Sequence, residues 1–101
     1  MTSVVFWEEQ AQADREAIFR YLYQNAGLQV ASTTDDKFVT LAELLSENPA
    51  AGAMVGRSGK QRKLTVTRFP FIMVYVTEKN EVRILRVLHT SRRIAGKYRS
   101  S

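Results

Sequence analysis

The spacing of apolar residues changes twice along this chain. Val4-Val5-Phe6-Trp7 is a short β-branched and aromatic run, which reads as a strand. After Glu8-Glu9 the spacing becomes helical. Ala11, Ile18, Tyr21 and Asn25 fall on one stripe, Leu22 widens it, and the two glutamates suit the positive end of a helix. Gly27 is the expected stop. A second helix is expected over Val30 to Ser46, with Ala31, Thr34, Phe38, Leu41 and Leu45 on one stripe. Asp35, Asp36, Lys37 and Glu43 lie off that stripe, and Asn48-Pro49 ends the helix.

Beyond Pro49 the period shortens to that of strands. Ala50 to Lys60 holds Gly52, Gly56 and Gly59 and reads as a flexible loop. Lys63 to Arg68 alternates strictly, as a half-buried strand does. Phe69-Pro70 is a turn. Phe71 to Val76 is apolar throughout and fits a central strand covered on both faces. Thr77 to Glu81 reads as a hairpin loop, and Val82 to Leu88 as the last strand. Strict alternation there puts Val82, Ile84, Arg86 and Leu88 on one face and Arg83, Leu85 and Val87 on the other. Thr90 or Ser91 is placed to cap a short C-terminal helix. The expected fold is α+β: an N-terminal strand, then an α-helical hairpin packed on an antiparallel sheet. The sheet ends in a three-stranded meander, followed by a short helix or tail. The first strand pairs at an edge or across the sheet. One domain spans residues 1–101.

Charge changes this picture. Residues 1–50 carry eight carboxylates against three cations, whereas residues 51–101 carry twelve cations against two carboxylates. A basic half favours a polyanion, most simply nucleic acid, and would attract an acidic protein as well. Arg57, Lys60, Arg62, Arg68, Arg86, Arg93, Lys97 and Arg99 are the candidate nucleic-acid contacts, on the expectation that loop, strand and tail converge at one end of the sheet. The chain has no cysteine and one histidine, which excludes thiol chemistry and a multi-histidine zinc site within one chain. No cofactor or metal is expected. No membrane span and no signal-peptide core are apparent, so a cytoplasmic location is expected.

Few residues carry candidate chemistry. His89 ends an apolar strand between Arg86 and Arg92, whose charges favour a neutral, proton-accepting imidazole suited to a general base. The alternative is a strand-end histidine bonded to backbone. Tyr98, between Lys97 and Arg99, is placed either to stack on a base and move a proton or to pack the tail on the sheet. Tyr75 and Trp7 read as core. Glu8-Glu9 and Asp35-Asp36 are neighbours whose side chains diverge, and neither pair makes a carboxylate site.

The element order, the Trp7, Ala11, Ile18, Tyr21 helix pattern, the Asn48-Pro49 to Gly52 helix exit, the Phe71 to Val76 strand and above all Ile84 to Arg92 resemble the RelE/ParE superfamily of bacterial type II toxins. The resemblance covers nearly the whole chain. It implies a small toxin neutralised by a cognate antitoxin protein. RelE-type members act at the ribosome and cut mRNA by metal-free attack of a 2′-hydroxyl. ParE-type members inhibit DNA gyrase without nuclease activity. Lys63 matches a RelE-type lysine on the first meander strand, Arg92 the arginine after the last strand, and Tyr98 the tyrosine six residues further on. His89 falls where other ribonuclease members carry a histidine. Thr65 and Ile72 stand where those nucleases carry a second lysine and a central-strand arginine. The expected activity is therefore ribosome-dependent mRNA cleavage by Lys63, His89, Arg92 and Tyr98, with the ribosome and mRNA as partners. The alternative is a gyrase inhibitor.

Overall fold

A computed structural model describes residues 2–57 and 60–90. The expected C-terminal helix or tail lies outside them. Among the described residues, five strands form one sheet in the order β1-β5-β4-β3-β2, where β1 is Val4–Trp7, β2 Ala53–Val55, β3 Gln61–Val66, β4 Phe71–Glu78 and β5 Glu81–His89. Two helices, α1 (Glu9–Ala26) and α2 (Leu28–Glu47), pack on one face. The result is the expected α+β architecture.

Gly27 joins the helices as a single residue. Its φ of 99° is open to glycine at little cost, and its N–H donates to the carbonyls of Leu22 and Tyr23. α2 therefore begins two residues earlier than its apolar stripe suggests. β1 lies parallel to β5 and pairs Val4 with Glu81 through Trp7 with Ile84. The other neighbours are antiparallel.

The core lies between sheet and helices. Phe38, Ala42 and Leu45 of α2 and Ala11 of α1 meet Val66, Phe71, Met73, Tyr75, Val82, Ile84 and Val87. Each large apolar side chain buried there contributes roughly 1.5–3 kcal/mol. Ile72 and Val74 are also buried, so β4 is covered on both faces as its unbroken apolar run implies.

Two expectations need correction. Residues 50–60 are not a loop throughout, because Ala53–Val55 forms edge strand β2 on β3. Tyr75 explains how. Its buried hydroxyl accepts the Gly52 N–H at 2.8 Å and donates to the Pro49 carbonyl at 2.8 Å. Arg62 adds a bond to the Gly52 carbonyl at 2.7 Å. Gly52 is required there, since a Cβ would stand 2.6 Å from the Lys63 carbonyl and 2.8 Å from the Tyr75 hydroxyl. The second correction is in β5. Its register slips at Val74/Tyr75, so Tyr75 faces Ile84 and Val74 faces Arg86, with Leu85 as the extra residue. The alternation restarts after this bulge. Val82, Ile84 and Val87 are the buried positions, and Arg86 faces Val74 rather than sharing a side with Val82 and Ile84. Arg83 and Arg86 consequently fall on the same register face instead of opposite ones.

Burial pushes the Tyr75 hydroxyl above its ordinary pKa, against the opposing pull of the Gly52 N–H and Arg62. The raised value means that the protonated phenol stabilises the fold. Its contribution is complete below the unfolded-state value of about 10 and is lost as pH rises through the folded value. Tyr75→Phe should cost about 1–3 kcal/mol in urea denaturation near neutral pH, because the Gly52 N–H loses its acceptor. It should also flatten the fall in stability above about pH 10.

Candidate functional site

The sheet register separates the side chains expected to act together. Leu64 and Val66 pair with Met73 and Phe71 on the helix-facing side, so Lys63, one residue from Leu64, faces away. His89 pairs with Phe71, and their rings meet edge to face at 5.2 Å. The Phe71 ring meets Phe38 of α2 in the same manner at 5.4 Å. His89 is therefore on the helix side and Lys63 on the other. They are also three residues apart along β3 by register, or roughly 10 Å.

Thr65 and Ile72, the positions without the expected cations, face each other across β3 and β4. Ile72 is buried. His89 instead borders an apolar groove of about 660 Å³ between the helical hairpin and the β3–β4 turn, with Tyr21, Leu22, Val30, Phe69 and Phe71 among its walls. Arg92, Arg93, Lys97, Tyr98 and Arg99 lie outside the described residues.

The remaining candidate cations do not form one patch among the described residues. Arg57 and Lys60 are exposed before β3 and Arg68 is exposed after it, so the six-residue strand holds them roughly 20 Å apart. The loop and strand cations therefore do not converge at one end of the sheet as expected, and the tail cations lie outside the described residues. Arg68 takes a left-handed φ of 71° in the turn closed by the Phe69 N–H to Val66 carbonyl bond. That conformation costs a non-glycine residue roughly 1 kcal/mol. Arg62 is held on the Gly52 carbonyl, with a longer contact to the Ala50 carbonyl at 3.4 Å.

Carboxylates of the first helix and its cap occupy the cations of β5. Arg86 makes a two-pronged pair with Asp14, at 2.8 and 3.1 Å. The Asp14 carboxylate holds that guanidinium above its already high ordinary pKa. Arg83 meets Glu8 at 2.8 Å, Glu81 at 3.4 Å and Glu78 at 4.0 Å, and lies over the Phe6 ring. Within the hairpin, Arg15 pairs with Asp35 at 2.7 and 2.9 Å and covers the Trp7 ring at 4.4 Å. Asp14 is the residue that reading by adjacent pairs overlooks. Its signal was present: Ala11, Asp14 and Ile18 share the helical stripe, and a carboxylate on an apolar stripe needs a partner on the surface it faces. Among the described residues, no group of three metal-ligating side chains comes together.

Comparison with known proteins agrees with this architecture. Residues 5–94 match the family model described as "ParE toxin of type II toxin-antitoxin system, parDE". A solved structure titled "Chromosomal ParDE TA system from P. aeruginosa" superposes with a TM-score of 0.76 at 26% sequence identity, covering 87% of this chain and 96% of that one. A comparison with curated protein sequences gave no significant match. The chain belongs to the ParE toxin family of type II toxin–antitoxin systems, within the RelE/ParE superfamily. Such a system implies an antitoxin partner. No helix among the described residues is long and apolar enough to cross a membrane.

Opposite-face placement has a measurable consequence. His89→Ala should lower stability by about 0.5–1.5 kcal/mol through loss of the ring contact. Lys63→Ala should stay within about 0.5 kcal/mol of the parent. In urea denaturation the double variant should equal the sum of the two within about 0.5 kcal/mol.

Proposed function

We propose that this chain is a toxin that inhibits DNA gyrase by binding, without cutting RNA, and that its cognate antitoxin neutralises it in the cytoplasm. The observation that carries this reading is the division of Lys63 and His89 between the two faces of the sheet. Attack of a 2′-hydroxyl on the adjacent phosphate, which forms the cyclic phosphate and expels the 5′-oxygen as a hydroxyl, needs a proton acceptor and cations around that phosphate. A phosphate beside Lys63 is out of reach of His89, and the sheet centre offers Thr65 and Ile72 where cations would be needed. Binding inhibition makes no such demand. It requires a stable scaffold that presents a surface, and membership of the ParE family supports it.

Ribosome-dependent mRNA cleavage is the second reading, favoured by Arg92 and Tyr98 at RelE-type spacing in the sequence. It would have to gather Lys63, Arg92 and Tyr98 on the outer face and dispense with His89.

Induction in growing bacteria separates the two. Thymidine incorporation should fall before leucine incorporation, and the purified chain should inhibit supercoiling by gyrase in vitro. An early fall in leucine incorporation, with supercoiling untouched, would overturn the gyrase reading.

A further inference from the structure

β1 pairs with β5 only as far as Ile84, and the Glu8 N–H takes the Ile84 carbonyl. Beyond that point β5 passes its bulge with no strand alongside it on that edge among the described residues. The Val87 N–H, the next donor there, finds the Asp14 carboxylate at 2.9 Å. The same carboxylate grips Arg86 with two bonds, and its side chain is only 12% exposed. One side chain from α1 thus does what a neighbouring strand would do. It occupies a backbone donor and fixes the residue before it.

The two residues after Val87 lead to His89, whose ring rests on Phe71. The Thr90 N–H then closes onto the Pro70 carbonyl at 2.8 Å. From here the chain continues into its most basic stretch, with Arg92, Arg93, Lys97 and Arg99. Bulges re-aim the residues that follow them; β4 pairs with Val87 to His89 on one edge of the re-aimed segment, and Asp14 holds it from the other. Asp14 itself is not part of the apolar core.

We propose that Asp14 is a positioning residue for toxicity: it fixes the course of β5 after the bulge, and with it His89 and the departure point of the basic C-terminal segment. This rests on the toxin reading above, whichever target is hit.

The test compares Asp14→Ala with Asp14→Asn in the full chain. Amide exchange is followed by NMR at Val87, with Met73 of β4 as the reporter of global stability. In Asp14→Ala, Val87 should exchange about 10-fold or more faster relative to Met73, the effect of losing a bond to a charged acceptor. The ring-proton signals of His89, set by the current of the Phe71 ring, should shift, and induction should no longer reduce colony counts. Asp14→Asn keeps an acceptor oxygen for Val87. It should hold the relative exchange within about 3-fold of the parent and retain toxicity.

Two toxicity results would overturn the proposal. One is an Asp14→Ala protein with Val87 deprotected and toxicity intact. The other is an Asp14→Asn protein with Val87 protected and toxicity gone, which decides the matter even if the alanine variant fails to fold. If the parent chain itself does not impair growth, the toxin reading falls. Unmoved Val87 exchange and His89 signals in Asp14→Ala would separately remove the positioning role.

Discussion

Phe71, Met73 and Tyr75 bury their side chains beneath the two helices, while Ile72 and Val74 are buried on the reverse of the same strand. β4 therefore has no solvent-facing row over its first five residues, and no charge can be placed there without desolvation. The other strands are registered against it. Leu64 and Val66 must face the helices because Met73 and Phe71 do, which turns Lys63 outward. His89 must lie beside Phe71 on the inner side. The chemistry available to the sheet follows from this one buried strand. Cations are displaced from β4 to the strands beside it, the turns and the sequence after β5.

The uneven charge along the sequence has a structural use that its sign alone does not reveal. The acidic hairpin does more than back a basic sheet. Glu8 and Asp14 reach across to Arg83 and Arg86 and tie the first helix to the last strand. The two pairs are unequal. Arg83 and Glu8 are each more than a third exposed, a setting in which such pairs are worth about 0–1 kcal/mol. Asp14 is more sheltered and also takes a backbone donor, so its removal leaves a polar group unpaired. The basic surface left for a partner is smaller than the sequence total suggests, because the cations of β5 are engaged internally.

Much of this was legible in the sequence. Helical stripes, the strict alternation after Lys63 and the solid apolar run after Phe71 follow from local periodicity, and each marks its element to within two residues or so. Gly27 as a helix break follows from backbone freedom. What could not be read lies in long-range geometry. β2 is three residues between glycines, too short for a period, and exists because Tyr75 pins Gly52 from 23 residues away. The bulge at Leu85 leaves no mark in the pattern, yet it reverses the facing of Arg86 and Leu88. Lys63 and His89 match a nuclease motif in one dimension. Only the register, which fixes facing at every position, shows them on opposite sides.

The proposed toxicity rests on binding and not on RNA cleavage. Genome-wide mapping of transcript ends shortly after induction separates the two. A cyclising ribonuclease leaves cyclic phosphate and 5′-hydroxyl ends phased with codons on ribosome-bound mRNA. Inhibition by binding predicts no increase in such ends over uninduced cells while growth is already arrested. A codon-phased burst of 5′-hydroxyl ends that precedes the arrest would contradict it.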